Sequence, residues 1–224
     1  MEQIKILIVG NGFGGIYALK SMHKLFHNNP RVHVTLVGDN NFFLFTPLLH
    51  EVATGGISPE NIIEPIHKAL GCCLDNFHIG RAESVNLKDK TVKLGDTVLT
   101  YDYIVLAPGA TTNFFNTPGA EKYSMPLKTL EQAIAIKNRC ITQIEKASYL
   151  TDREARKKML TFVIVGGGPT GVELAGELAE FVKDTFAKYF PADLIEDITI
   201  ILMQKGGELV MQFEPELRKK SLEV

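Results

Sequence analysis

Two glycine-rich segments carry the residue types and spacing that bind phosphates. Gly10-Asn11-Gly12-Phe13-Gly14-Gly15 follows the apolar run Ile4–Val9, and Gly166-Gly167-Gly168-Pro169-Thr170-Gly171 follows Thr161–Val165. In such a turn the first glycine permits a tight bend, the second lets the backbone approach a pyrophosphate, and the third lets the helix pack on the strand. The phosphates then meet free N–H groups at the positive end of a helix. We therefore predict two dinucleotide sites in this chain.

A protein that holds two dinucleotides commonly passes electrons between them, so we expect a flavin at one site and a nicotinamide at the other. Apolar residues at helical spacing predict one helix over 14–26 and another from Thr170. A strand over 32–37 completes a βαβ opening, in which an acidic residue after the second strand binds ribose hydroxyls. Asp39 is the candidate here, and a solvated turn aspartate is the other interpretation.

Composition limits the other function classes. The chain has 224 residues and a net charge of -2, and it shows no basic stripe, so we expect no nucleic-acid partner. No apolar run approaches the ~20 residues of a membrane helix, and we expect no signal peptide. Three cysteines, of which Cys72 and Cys73 are adjacent, do not make a disulfide framework and favour a reducing, cytoplasmic setting.

The apolar segment 41–56 is expected to pack on a flat apolar partner, such as an isoalloxazine ring or a second domain. Gly109 ends a predicted strand, where a glycine permits close approach of the backbone to a ligand. The remaining predicted elements are a helix over 61–70, a strand over 77–85, a hairpin over 91–100, a buried strand over 101–110, a helix over 128–146 and a charged connection over 151–158.

The predicted fold class is α/β with two dinucleotide-binding domains. After the second glycine turn the chain offers one helix, a strand over 198–203 and the start of a further helix at 213–217. A dinucleotide-binding domain needs a further crossover and parallel strand. We therefore expect a fragment of a longer protein, the alternative being a partner chain that completes the sheet.

The chain resembles the type II NADH dehydrogenases, the single-subunit, non-proton-pumping NADH:quinone oxidoreductases. The resemblance extends over the whole chain and matches roughly the first half of the family's usual length. The stretch Thr46-Pro47-Leu48-Leu49 with Glu51-Val52-Ala53-Thr54-Gly55 is more specific than either glycine turn, because the wider pyridine nucleotide-disulfide oxidoreductase superfamily usually lacks it. The other segments that carry the resemblance are 10–15, 101–119 and 163–178.

The resemblance implies two Rossmann-like domains. Residues 1–120 would bind FAD and lack their C-terminal part, and residues 121–224 would form a linker helix and the first part of a truncated NAD(P)H-binding domain. Hydride would pass from NADH to FAD, and electrons then to a quinone. The FAD-binding residues implied are Gly10, Gly12, Phe13, Gly14 and Gly15 at the pyrophosphate, Asp39 at the ribose, Thr46 and Pro47 at the flavin, Val85 at the adenine, and Gly109 along the cofactor. Those implied for NADH are Gly166, Gly168, Pro169, Thr170 and Gly171.

Glu173 matches the family glutamate in the first turn of the second helix, which points toward the contact between flavin and nicotinamide. It is therefore the candidate catalytic residue. The other interpretation is that a first-turn carboxylate stabilises the helix dipole by ~0.3–1 kcal/mol.

Two positions depart from the family pattern. Asp39 stands one residue later than the family's usual ribose-binding acid. Gln204 occupies a position where a glutamate is common, and a neutral amide does not repel the 2′-phosphate of NADPH. Because Lys205 would attract that phosphate, we predict that NADH is used and NADPH is tolerated.

The resemblance further implies a quinone partner and peripheral attachment to the inner face of the cell membrane through the family's C-terminal half, and it leaves a homodimer open. The alternatives are a sulfide:quinone oxidoreductase, which needs reactive cysteines, a soluble NADH oxidase or ferredoxin reductase, and a nicotinamide-binding flavoprotein sensor. For His50 two interpretations stay open: it reaches the flavin, or it is a surface or internally satisfied histidine.

Overall fold

The computed structural model describes residues 3–69 and 76–222. The chain has an α/β fold and divides into two compact units. Unit 1 comprises Met1–Phe45 and Ile63–Thr112, and unit 2 comprises Thr46–Ile62 and Asn113–Val224. The cysteines Cys72 and Cys73 lie outside the described residues.

In chain order the strands are β1 Ile4–Val9, β2 Val32–Gly38, β3 Phe42–Leu44, β4 Ile63–Pro65, β5 Asn76–Ile79, β6 Ser84–Asn86, β7 Thr91–Leu94, β8 Thr97–Thr100, β9 Tyr103–Leu106, β10 Thr161–Val165 and β11 Thr199–Met203. The helices are α1 Phe13–Phe26, α2 Leu49–Thr54, α3 Ile66–Ala69, α4 Ala120–Tyr123, α5 Leu130–Ser148, α6 Arg153–Met159, α7 Pro169–Asp184, α8 Ala192–Glu196 and α9 Pro215–Lys220. Short 3₁₀ turns span Thr46–Leu48, Pro59–Ile62 and Phe186–Lys188. None of the helices described is long and apolar enough to cross a bilayer.

Unit 1 is built on a parallel sheet in the order β5-β2-β1-β9. Successive side chains of β1 point to opposite faces, and both faces are covered. On one face Ile8 packs with Ile16 and Leu19 of α1. On the other, Leu7 packs with Val92 of the antiparallel β6-β7-β8 sheet. This burial on both sides fixes the position of the turn that leaves β1.

Unit 2 contains the parallel pair β10–β11, with α7 in the crossover. Its core joins Ile144 of α5, Val182 of α7 and Phe186 of the following 3₁₀ turn. The N-terminus of α5 is closed by a capping box, in which the Thr129 hydroxyl accepts from the Gln132 N–H and the Gln132 side chain accepts from the Thr129 N–H. The short helix α2 packs against both α5 and α7.

A buried carboxylate joins α6 to α8. The side chain of Asp197, directly after α8, is fully shielded from solvent. The Arg153 Nε donates to Asp197 Oδ1 at 2.9 Å and the Arg156 Nε donates to Oδ2 at 2.7 Å. Arg156 also pairs with the exposed Asp193 at 3.1 Å.

Three sequence predictions between residues 61 and 110 are wrong. The described part of the predicted helix over 61–70, residues 61–69, forms no single helix, because it divides into a 3₁₀ turn, the short strand β4 and α3, with Pro65 ending the strand that pairs with β3. The predicted strand over 77–85 is two strands, β5 and β6, that belong to different sheets. The predicted strand over 101–110 is short and half exposed, since β9 lies at the edge of its sheet.

In unit 2 the connection over 151–158 is largely the helix α6, capped by the Asp152 side chain, which accepts from the Glu154 N–H at 3.0 Å. The hairpin of β7 and β8 is confirmed, with Gly95 at a φ of +57° in its turn. The predicted first domain was continuous over 1–120, whereas residues 46–62 group with unit 2 because α2 packs against α5 and α7. Which nucleotide each unit binds stays a prediction.

Candidate functional site

The first glycine turn of unit 1 is held by close backbone packing. Gly10 has a φ of +106°, and a Cβ built on it would lie 2.0 Å from the carbonyl oxygen of Ala107. A Cβ on Gly15 would lie 1.6 Å from the Gly10 carbonyl oxygen. No side chain larger than hydrogen fits at either position, so both glycines are required by the fold itself.

Gly12 differs from these two glycines. It is the N-cap of α1 at an ordinary φ of -79°, and a Cβ built there meets no atom of the described residues within 4 Å, its chain neighbours aside. The first helical hydrogen bond runs from the Ile16 N–H to the Gly12 carbonyl at 3.0 Å. The N–H groups of the first turn therefore point out of the helix, as they do where a helix N-terminus binds an anion.

The Asn11 side chain ties this turn to the loop after β2. Asn11 is 7% exposed, and its amide donates to the carbonyls of Asn40 at 2.6 Å and Phe42 at 3.2 Å. A Cβ on Gly38 would lie 2.3 Å from the Asn11 Cγ, so the amide fits only beside a glycine. No role was predicted for Asn11; an amide inside the turn and a glycine at the end of β2 are the signal that could have found it.

Two more predicted residues lie at the same edge of the sheet as this turn. Asp39 follows β2 and is exposed, and its carboxylate accepts from the Asn40 side-chain amide at 3.3 Å. Gly109 follows β9 and is exposed, with a φ of +74°. The carboxyl ends of parallel strands share one edge, which is where α/β sheets bind ligands.

Phe13 opens α1 and contacts two aromatic rings of β3 and its continuation. Its ring centroid lies 4.9 Å from that of Phe43 and 5.6 Å from that of Phe45. Val85 lies on the edge strand β6, paired with Val92, and its half-buried side chain packs into the core of unit 1.

The second glycine turn repeats this geometry in unit 2. Gly166 has a φ of +113°, and a Cβ on Gly171 would lie 1.8 Å from the Gly166 carbonyl oxygen. Gly168 is the N-cap of α7 at a φ of -79°, and a Cβ on it meets no described atom within 4 Å beyond its chain neighbours. Pro169 opens the helix, where its missing N–H costs nothing, and Thr170 beside it is exposed.

Gln204 follows β11 and folds back onto this turn. Its Oε1 accepts from the Gly167 N–H at 2.9 Å. The Gly167 carbonyl accepts from the Val210 N–H at 2.7 Å, so the turn is held on both sides. Because the Gly167 N–H must meet an oxygen, the amide orientation is fixed and the Nε2 hydrogens of Gln204 remain as donors.

Glu173 is the fifth residue of α7, so its expected place in the first helical turn is wrong. The helix begins at Pro169, one residue before the predicted start, and the dipole effect falls off beyond the first turn. Stabilisation of the helix dipole therefore does not explain why a carboxylate stands at position 173. Its Oε2 lies 3.6 Å from Nδ1 of His50 on α2. Thr46 and Pro47 are exposed in the 3₁₀ turn that leads into α2.

Cys140 lies on α5 and is buried. Burial raises the pKa of its thiol to about 11, against a smaller lowering by a backbone hydrogen bond. A thiol with this pKa is overwhelmingly protonated at neutral pH and is a poor nucleophile. Cys140 therefore does not supply the reactive cysteine that a sulfide:quinone oxidoreductase requires.

The donor set of both turns fits the pyrophosphate of a dinucleotide. In each, two glycines are required by the fold: Gly10 and Gly15 by packing in the first turn, and Gly166 by its positive φ and Gly171 by packing in the second. A third glycine in each turn leaves open space before outward-pointing N–H groups. A side chain at Gly12 or Gly168 would fill that space without meeting another described atom, so packing does not account for glycine at these two positions.

Known proteins match the chain over nearly its full length. The external alternative NAD(P)H-ubiquinone oxidoreductase B4 of Arabidopsis thaliana is 37% identical over 94% of this chain and 37% of its own. The type II NADH:quinone oxidoreductase NdhA of Mycobacterium tuberculosis is 33% identical over 97% of this chain and 46% of its own. The structure of NDH2 from Plasmodium falciparum in complex with NADH superimposes with a TM-score of 0.90 at 31% identity, covering 99% of this chain and 46% of that one.

The chain thus spans less than half the length of each of these three proteins. Their names confirm the resemblance to type II NADH dehydrogenases. The family model for pyridine nucleotide-disulphide oxidoreductases matches residues 4–224. The chain therefore belongs to the pyridine nucleotide-disulphide oxidoreductase family.

Proposed function

We propose that the protein is a flavoprotein oxidoreductase that takes hydride from NADH and reduces a quinone without pumping protons. One observation carries this proposal: the chain has two glycine turns, each with a central glycine that ligand binding explains and packing does not. The names of the relatives, NADH- and NAD(P)H-ubiquinone oxidoreductases, support the choice of donor and acceptor.

We assign FAD to unit 1, as one Rossmann-like site. Gly12, Phe13, Gly14 and Gly15 would donate backbone N–H groups to the pyrophosphate at the N-terminus of α1. Asp39 would accept from the ribose hydroxyls. The backbone of Val85 would meet the adenine, and Gly109 would let the chain pass along the cofactor. The family resemblance implies Thr46 and Pro47 as further flavin-binding residues, and the flavin supplies the hydride acceptor and the electron relay when bound.

We assign the nicotinamide dinucleotide to the second Rossmann-like site, in unit 2. Gly168, Thr170 and Gly171 would hold its phosphates, with Pro169 shaping the first turn of α7. Glu173 is the candidate catalytic residue. It follows Gly168 by five residues and Gly171 by two, and its half-exposed carboxylate is accessible to a substrate from solvent.

We further propose that NADPH is tolerated beside NADH. The Gln204 oxygen accepts from the Gly167 N–H, so its amide hydrogens remain as donors. An amide N–H can donate to a 2′-phosphate, where a carboxylate would repel it, and Lys205 adds a positive charge at the next position. Comparing kcat/KM for the two donors tests this point, and an NADH preference of several hundredfold contradicts it.

The quinone would be reached at a membrane surface, to which the protein attaches peripherally at the inner face; a homodimer is compatible with this arrangement. Alkaline carbonate extraction tests the attachment, since a peripheral protein is released from membranes without detergent.

The deciding experiment uses the complete gene product with bound flavin confirmed by its visible absorption band. NADH is added without oxygen, and a short-chain quinone follows. Bleaching on NADH and return of the band on quinone are the expected results. Bleaching without return would contradict the quinone as acceptor, and no bleaching would contradict the donor.

A further inference from the structure

We infer that His50 is a positioning residue for the Glu173 carboxylate. The inference rests on the proposed function, because it takes Glu173 as the carboxylate that acts beside the two cofactors. It adds a second residue, from the segment that carries Thr46 and Pro47, to the machinery assigned to α7.

The two side chains face each other within unit 2. His50 Nδ1 lies 3.6 Å from Glu173 Oε2. This is roughly 0.6 Å longer than a usual N–H···O hydrogen bond, so the two groups are within ion-pair distance but are not hydrogen-bonded in this arrangement. The imidazole attracts the carboxylate as a cation when protonated and as an Nδ1–H donor when neutral.

The pair is asymmetric, which decides which residue positions which. The His50 side chain is 12% exposed, and the Glu173 side chain is 49% exposed. Buried Val52 and Ala53 anchor α2, and the Thr54 hydroxyl donates to the His50 carbonyl at 3.1 Å. The imidazole is therefore held in place, while the carboxylate could otherwise occupy several rotamers.

Two charged residues from other helices approach the end of α2 that lies away from His50. Glu173 faces the His50 end. At the opposite end, Glu177 Oε2 would lie 3.6 Å from a Cβ built on Gly56, and Lys137 Cδ would lie 3.4 Å from one built on Gly55. The carboxylate nearest His50 in the described structure is thus the one that the family resemblance places at the reaction.

Loss of His50 should leave the nucleotide sites intact and disorder the carboxylate. We therefore expect a lower kcat with little change in KM for NADH, because positioning affects the reacting geometry more than ground-state binding. A merely structural histidine would instead change flavin content or thermal stability.

The test is a double-mutant cycle on the complete gene product, read as the rate of flavin bleaching by NADH. We expect His50→Leu to slow bleaching about tenfold, within the coupling range of contacting residues, with flavin content and KM unchanged within about twofold. The Asn side chain places an amide near the Nδ1 position, so His50→Asn should recover most of the rate. In a Glu173→Gln background, His50→Leu should have no further effect.

His78→Leu, a half-buried histidine on β5, is the matched control and should bleach at the wild-type rate. If His50→Leu does not fold, His50→Gln replaces it in the cycle, because its amide lies beyond the Nδ1 position. The inference alone is overturned if flavin in the His50→Leu variant is bleached as fast as in the wild type. It is also overturned if the effects of the His50 substitution and of Glu173→Gln on the bleaching rate multiply in the double variant. A wild-type protein that NADH does not bleach overturns the proposed function and the inference with it.

Discussion

At the scale of single residues, the glycines of the two turns answer to different requirements. Gly15 and Gly171 are fixed by the carbonyl oxygens of Gly10 and Gly166, which leave no space for a Cβ. Gly12 has space in front of it and an ordinary φ. The same motif thus contains glycines that the fold needs and glycines that we assign to a ligand, and substitution can separate them.

We expect Gly12→Ala to abolish flavin binding while lowering the free energy of unfolding by no more than about 1 kcal/mol, the usual cost of alanine at an N-cap. Gly15→Ala should instead destabilise the protein by roughly 1–3 kcal/mol or more, because its methyl group overlaps backbone. Urea unfolding of the flavin-free protein, with the flavin-to-protein ratio after purification, measures both effects. A Gly12→Ala variant that retains flavin would remove the assignment of this turn to the pyrophosphate.

A second prediction at the scale of a single residue concerns Gln204 and the choice between NADH and NADPH. We expect Gln204→Glu to lower kcat/KM for NADPH by roughly 10- to 100-fold, a small part of the Coulomb repulsion between a carboxylate and a 2′-phosphate. The rate with NADH should change little, because a glutamate oxygen still accepts from the Gly167 N–H. Steady-state kinetics with both donors measure this.

Lys205→Gln serves as the comparison, since it removes the neighbouring positive charge without adding a negative one. Its effect on NADPH should be in the same direction and smaller. Equal use of NADPH by Gln204→Glu and the wild type would show that the end of β11 does not select the donor.

At the scale of elements, Asp197 holds α6 and α8 together at the base of β11. Burial alone would raise the pKa of this carboxyl, but hydrogen bonds and charges from Arg156 and Arg153 outweigh burial and lower the pKa. A carboxyl whose pKa is lower in the folded than in the unfolded state stabilises the fold above its unfolded pKa. That contribution is lost as the pH falls through the depressed folded value.

We therefore expect Asp197→Asn to lower the urea midpoint of unfolding at pH 7, because two arginines lose a buried anion. The difference in urea midpoint between the variant and the wild type should shrink below about pH 4, where the carboxyl of the unfolded wild type is protonated. Asp193→Asn is the matched control, since Asp193 is 63% exposed and an exposed ion pair contributes only about 0–1 kcal/mol. A difference for Asp197→Asn that persists unchanged at low pH would contradict this account of the ion pair.

The elements with strong periodicity were predictable and the short ones were not. The helix after Gly12, the hairpin around Gly95 and the helix after Gly168 follow local rules of turn chemistry and apolar spacing, and the structure confirms them. The error at 61–70 arose because pairing of β4 with β3 depends on a distant strand. Local propensity carries no information about such a partner.

The candidate site also has a part that the sequence predicts and a part that it does not. The glycines of the two turns were predictable because their chemistry is local to the motif. The hydrogen bonds of the Asn11 amide to the loop after β2 and the contact of His50 with Glu173 join positions 29 or more residues apart, and no spacing rule predicts them. Packing of the apolar segment 41–56 on a second domain was one of the two partners expected from the sequence, and α2 does pack against α5 and α7 of unit 2. The bounds 46–62 of the part that groups with unit 2 were not predictable, because they depend on that packing.

At the scale of the whole molecule, each compact unit contains one complete glycine turn. Gly10 to Gly15 belong to unit 1, and Gly166 to Gly171 belong to unit 2. Within unit 1, the atoms nearest to a Cβ built on Gly10 belong to Ala107 and Pro108, and within unit 2 those nearest to a Cβ built on Gly167 are side-chain atoms of Gln204 and Leu209. The two nucleotide-binding functions should therefore be separable by substitution.

Gly168→Ala provides this separation. The methyl group meets no described atom of the fold within 4 Å beyond its chain neighbours, so we expect the variant to fold and to retain its flavin. The same methyl group occupies the space assigned to the NADH pyrophosphate, so bleaching by NADH should fall by at least about 100-fold, the loss of roughly 3 kcal/mol of binding. Dithionite should still reduce the flavin, and quinone should then restore the absorption band at the wild-type rate. A variant that loses flavin together with NADH reactivity would mean that the two turns serve one site, whereas loss of the donor step alone would establish that unit 2 receives the electrons and unit 1 passes them on.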